Sequence, residues 1–137
     1  MRLLIVDDDN SLAKLTAELL QLVDRSAGHI ESISIAGDLV TALLLLPEND
    51  AVLCDGSFPI SPGSISHGDE WCQVRRAALV CGVPFILYSG CAQSIEEARL
   101  GGIAAIAKPA TIENIYAVLA GLWIEARPVL ASGHLVH

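Results

Sequence analysis

Five times along this chain a short apolar run, too short to be a helix, is followed by a segment whose apolar residues recur every three or four positions. That alternation constrains the fold more than any other feature of the sequence. The first run, Leu3–Val6, ends in acids and has the form of a strand buried on both faces. Asn10 or Ser11 is positioned to cap the next segment, where Leu12, Leu15, Leu19, Leu22 and Val23 lie along one helix face. Ile33 and Ile35 alternate with serines as a second strand, and Asp38 caps a short helix to about Leu46 before a turn at Pro47. Ala51–Cys54 is the third strand. A loop rich in Pro, Ser and Gly runs from Gly56 to about His67, and helix resumes near Gly68 and stops at Gly82 and Pro84. Phe85–Tyr88 and Ile103–Ala107 are the last two strands, separated by a helix over Ser94–Leu100. Thr111 caps a final helix, lined by Ile112, Ile115, Leu119 and Leu122, that ends before Pro128.

Five β-α pairs in a chain of 137 residues predict a single α/β domain, a (βα)5 doubly wound parallel sheet with helices on both faces. The domain spans 1–127, and 128–137 form a C-terminal tail too short for an output domain. A chain of this length buries enough surface to fold without disulfide or metal staples. Hydrophobic residues at 53% and charged residues at 18% exclude disorder. The net charge of −8 repels a phosphate backbone, so no direct nucleic-acid binding is expected. Nothing is long and apolar enough for a membrane span, and four apolar residues before the acids do not make a secretory leader. Cys54, Cys72, Cys81 and Cys91 form no C-x-x-C pair and are expected as reduced, mostly buried thiols of a cytoplasmic protein. His134 and His137 fall in the tail and are expected to be solvated.

In a parallel sheet the working groups collect beyond the carboxyl ends of the strands. The strand exits here carry Asp7 and Asp8, then Asp55, then Ser89, then Lys108. An Asp after a strand is most often a helix cap, but charged or polar groups at four such exits together are rarely accidental. Three crowded carboxylates repel one another unless a cation sits among them, and Mg2+ suits such an oxygen-donor site. Asp55 has the chemistry to accept a phosphoryl group as an acyl phosphate. Mg2+ on one side and Lys108 on the other would neutralise that group, with Ser89 donating a hydrogen bond to it.

The segments LLIVDDD at 3–9, DGSFP at 55–59, YSG at 88–90 and AKP at 107–109, in that order, resemble the receiver domains of two-component response regulators. The resemblance covers about residues 1–127 and is of the stand-alone, chemotaxis-regulator type. It implies a flavodoxin-like sheet of strand order 2-1-3-4-5. It implies Mg2+ held directly by Asp8, Asp55 and the Ser57 carbonyl and by Asp7 largely through water, with Asp9 not a ligand. Asp55 is the implied site of phosphorylation, Ser89 the switch hydroxyl, and Lys108 precedes a cis bond to Pro109. A histidine kinase or histidine phosphotransfer protein is the implied donor and a downstream protein the implied target. Such a module catalyses only its own phosphorylation and dephosphorylation.

Two departures stand out. Ala105 occupies the position where the family often has an aromatic that swings inward, and the loop Ile60–His67 is longer than the family's turn. Two other functions share these residues: a phosphate-independent adaptor, and a Mg2+-dependent phosphohydrolase with an aspartyl nucleophile. The hydrolase usually needs an acid two residues after the nucleophile, where Ser57 stands. A flavin site of the same fold would need a phosphate-cradling loop after the first strand, which is absent from the sequence.

Overall fold

The computed structural model describes residues 1–122. Its five strands are β1 (Arg2–Val6), β2 (Ser32–Ala36), β3 (Ala51–Asp55), β4 (Phe85–Ser89) and β5 (Ala104–Ala107). They pair in parallel in the order β2-β1-β3-β4-β5. The helices are α1 (Asn10–Asp24), α2 (Leu39–Leu45), α3 (Glu70–Cys81), α4 (Ala92–Leu100) and α5 (112–122). The doubly wound α/β sheet is thus the one expected from the alternation. The predicted tail from Pro128, with His134 and His137, lies outside the described residues.

Alternate residues of each central strand enter opposite faces of the sheet. Leu4 and Val6 join Val52, Leu87, Phe58 and Trp71 in one core, with α2, α3 and α4. Leu3 and Ile5 join Leu53, Ile86, Ile115 and Leu119 in the other, with α1 and α5. Both faces are dry, which is why these strands read as continuous apolar runs rather than alternating ones.

Caps fix where the helices start. Asp38 accepts from Thr41 N (2.8 Å) and Thr111 Oγ1 from Asn114 N (3.2 Å), as the sequence suggested. For α1 the cap is Asp9, whose carboxylate accepts from Leu12 N, rather than Asn10 or Ser11. Gly82, at φ +68°, terminates α3 in the left-handed conformation that glycine alone adopts freely.

The face of α1 is also corrected. Leu12, Leu15, Leu19 and Leu22 are exposed, from 37% at Leu19 to 56% at Leu22, while Ala13, Leu20 and Asp24 are buried. Ala13 and Leu20 enter the core with Ala17 packed against it, and the leucine stripe is left on the outside. Asp24 is buried because it is satisfied: its carboxylate accepts from Ile30 N (2.7 Å), His29 N (2.9 Å) and the Tyr116 hydroxyl (2.6 Å), tying α1 to β2 and α5. Burial pushes its pKa up, but these bonds to the charged form outweigh that and hold it below the ordinary value. The cysteines are all free, yet only Cys54 is fully buried; Cys81 and Cys91 are exposed because their helix ends face solvent.

Candidate functional site

The register of the sheet assembles the site. Val6 lies opposite Cys54, so the residues that follow them, Asp7 and Asp55, leave the sheet side by side. Ser89 pairs with Ala107, and Lys108 N donates to the Ser89 carbonyl (2.9 Å), which carries the ladder one residue further and starts Lys108 toward the acids. The Lys108–Pro109 bond is cis, as the resemblance implied.

Carboxylate oxygens of Asp7, Asp8 and Asp55 all lie within 4.8 Å of one another. Lys108 Nζ donates to Asp55 Oδ1 at 3.1 Å and approaches Asp7 Oδ2 at 3.8 Å. The same ammonium sits 5.0 Å from the centre of the Tyr88 ring, a cation–π contact that sequence reasoning did not anticipate. Burial opposes the charge on Lys108, but attraction and hydrogen bonding to Asp55 and attraction to Asp7 exceed that and raise its pKa.

Asp7 is 7% exposed and Asp8 is exposed. Asp7 Oδ1 accepts from Asp9 N (2.9 Å), so the third acid orients the first and caps α1 at once. Burial pushes the Asp7 carboxyl up to about 6; the Asp55 charge adds to the rise, while the Asp9 N–H and Lys108 oppose it. One lysine therefore does not balance three acids. An additional cation with a preference for oxygen would, and the all-carboxylate donor set with an exposed Asp8 fits Mg2+.

Asp55 Oδ1 takes a second bond, from Gly56 N at 2.8 Å, which leaves Oδ2 without a hydrogen-bond donor among the described residues. Among the described glycines, Gly56 is the one with the least room for a side chain. A Cβ there would stand 2.5 Å from Ser89 Oγ and 2.9 Å from Ser89 Cβ. Ser89 is 3% exposed and its Oγ accepts from Cys91 N (3.0 Å), at the start of α4. The side chain of Ser57 points its hydroxyl to Ser66 Oγ (3.2 Å). The five exit residues are therefore one cluster, with Gly56 and Tyr88 as unforeseen members. Both lie inside segments that the sequence singled out, DGSFP and YSG, but the contacts of Gly56 with Ser89 and of Tyr88 with Lys108 are legible only in space.

The fold class these features define is the flavodoxin-like α/β sheet. Within that class the structural neighbours include many response-regulator receiver domains, and also a de novo designed Rossmann 2x3 protein. A CheY-like receiver domain from Methylobacillus flagellatus superposes with a TM-score of 0.66 at 20% identity, covering 88% of this chain and 97% of that one. The chemotaxis response regulator CheY4 of Vibrio cholerae gives 0.63 at 20%, covering 87% and 95%. A candidate response regulator from Chloroflexus aurantiacus is 29% identical, with a TM-score of 0.59 over 85% of this chain and 93% of that one. No family model and no curated protein matches the sequence. The chain has the receiver-domain fold, and no helix among the described residues is long and apolar enough to cross a membrane.

Proposed function

We propose that this protein is a phospho-accepting signalling module of a two-component system or phosphorelay, phosphorylated on Asp55. One observation carries the reading: three carboxylates converge within 4.8 Å while a single lysine touches two of them, beside a buried hydroxyl held at the next strand end. In-line attack by Asp55 forms an O–P bond as the N–P bond of a donor phosphohistidine breaks, and the leaving imidazole keeps the electron pair. Oδ2 is the oxygen free to attack, because Oδ1 is held by Gly56 and Lys108.

Asp8, Asp55 and the Ser57 carbonyl would hold Mg2+ directly, with Asp7 through water. When bound, the ion neutralises phosphoryl charge opposite Lys108. Lys108 pairs with a phosphoryl oxygen, and Ser89 exchanges its bond to Cys91 N for one to the phosphoryl group. The donor would be a histidine kinase or histidine phosphotransfer protein in the cytoplasm. The output would be phosphorylation-dependent docking to a downstream protein, without direct contact to nucleic acid or membrane. The hydrolase reading lacks its leaving-group acid: Ser57 stands in that place with its hydroxyl engaged by Ser66.

The test is incubation of purified protein with Mg2+ and acetyl phosphate, followed by intact mass. One added phosphoryl group, absent in Asp55→Asn, is expected. Turnover of the donor with no lasting mass gain would favour the hydrolase, and neither gain nor turnover would favour the phosphate-independent adaptor.

A further inference from the structure

The long segment between Pro59 and α3 is bonded at both ends to the rest of the fold. Its first carbonyls, of Pro59 and Ile60, accept from Leu39 N (2.9 Å) and Val40 N (3.0 Å), so they complete the first turn of α2. Its far end is gathered by Glu70. That side chain is 1% exposed, and its carboxylate accepts from His67 N (3.1 Å), Gly68 N (3.0 Å) and Ser66 Oγ (3.0 Å). A buried carboxylate is tolerated only when it is satisfied in this way.

Closing the turn that leads into α3 explains the two N–H bonds to Glu70. It does not explain the third bond. Ser66 Oγ, which donates to Glu70, accepts in turn from Ser57 Oγ at 3.2 Å. Ser57 is two residues beyond Asp55, and the residue between them is the glycine whose N–H fixes Asp55 Oδ1 and which packs directly on Ser89. The chain of bonds from Glu70 through Ser66 thus ends on the Ser57 side chain, one residue beyond the Gly56 N–H that donates to Asp55 Oδ1. Where Ser57 is held bears on the backbone at Gly56, whose N–H ties down Asp55 Oδ1 and leaves Oδ2 free.

Resting on the reading of Asp55 as phosphoacceptor, we propose that Glu70 is a positioning residue for Asp55, acting through Ser66 and Ser57. The extended loop Ile60–His67 is then a strap that sets the orientation of the attacking carboxylate. Removing the Ser66 hydroxyl cuts both links. The Glu70 bonds to His67 and Gly68 and the α2 anchors remain, so the fold is retained.

The experiment compares wild type, Ser66→Ala and Ser66→Thr for phosphorylation rate at saturating acetyl phosphate and Mg2+, melting temperature, and the amide resonance of Gly56. Misplacing a reacting group by about an ångström can cost up to ~100-fold in rate. Ser66→Ala, a smaller perturbation, is expected to slow phosphorylation roughly three- to tenfold. Its melting temperature should fall by a few degrees at most, because the His67 and Gly68 N–H bonds to Glu70 remain, and the Gly56 amide should move as its bond to Asp55 loosens. Ser66→Thr keeps the hydroxyl and should restore both rate and resonance. Glu70→Gln, with one acceptor oxygen replaced by a donor, should shift the Gly56 amide in the same direction as Ser66→Ala. A wild-type rate in Ser66→Ala overturns the proposal, and so does a slower rate with an unmoved Gly56 amide or without rescue by threonine. If the wild type itself takes no phosphoryl group, the reading of Asp55 fails, and the Gly56 amide still reads the strap by itself.

Discussion

Asp7 is the residue on which the electrostatics of the site turn. Its pKa of about 6 lies above the unfolded value, so between about pH 4 and pH 6 the folded protein holds a proton that the unfolded chain has released. Stability from this group is therefore complete below pH 4 and is lost as pH rises through 6. Asp24 and Glu70, whose pKa values are lowered, act in the opposite sense, so the contribution of Asp7 must be isolated. In urea unfolding without divalent ions, Asp7→Asn should gain on wild type by roughly 2–3 kcal/mol between pH 4 and pH 7.5. A difference flat with pH would mean that Asp7 titrates normally. Mg2+ should close the gap at neutral pH, because coordination favours the charged carboxylate that only the wild type has. Gly56 makes a steric prediction at the same scale. The φ of this glycine is not in the left-handed region, so the obstacle to Gly56→Ala is the contact with Ser89 alone. Ser89 is too buried to give way freely, and the substitution should cost about 1–3 kcal/mol and shift the Cys91 amide. An unchanged urea midpoint and Cys91 resonance would show that Ser89 moves without cost.

Helix α1 shows what the sequence conveys about an element and what it conceals. Its leucine periodicity defines a face, and that face is the outer one. Leu15→Gln should therefore change stability by no more than about 0.5 kcal/mol, whereas Leu20→Ala, at a site with no exposed surface, should cost about 2–5 kcal/mol. Chemical denaturation of the two variants decides the matter, and a large loss at Leu15 would return the leucine stripe to the core. The buried face was illegible because it is built from Ala13, Leu20 and Asp24, and an aspartate in a core row only makes sense once its donors from His29, Ile30 and Tyr116 have come together in space. The strands were legible for the opposite reason: β1, β3 and β4, with both faces covered, are unbroken apolar runs, and only β2 at the edge alternates with serines. Strand exits were legible as a site because a parallel sheet gathers them at one edge whatever the loops do. The bonds from Glu70 through Ser66 to Ser57 were not, since the path of that loop is set by carbonyls docked on α2. Asp9 was visible as an acid but not as the cap, a role decided by backbone geometry one residue earlier than the serine and asparagine suggested.

Across the whole molecule, phosphorylation of Asp55 as proposed has to reach the surface without the aromatic whose place Ala105 takes. A groove between α4 and β5 is lined by Ser89, Lys108, Ile95, Arg99 and Leu100, and Arg99 also reaches out of it, Nη2 donating to the Ala105 carbonyl (3.4 Å). Ser89 has the incentive to move. Its present bond from Cys91 N is a neutral one, worth about 0.5–1.5 kcal/mol net, whereas a bond to a phosphoryl oxygen is charge-assisted and worth about 1.5–3 kcal/mol. The first bond uses the oxygen as acceptor and the second its hydrogen, so they compete only through the position of Oγ, and drawing Oγ to the phosphoryl group frees Cys91 N at the start of α4. Two-state switching requires only that phosphate prefer one loop arrangement, so no aromatic relay is needed. The amide-shift difference between apo protein and a complex with Mg2+ and a phosphoryl mimic should therefore concentrate at residues 89–95. A smaller set is expected at Gly56 and Ser57, because Gly56 packs against Ser89 and would feel it leave. Residues around Ala105 should stay quiet. Large changes at 103–107 beside an unmoved 89–95 loop would place the output on β5 and exclude the route through Cys91.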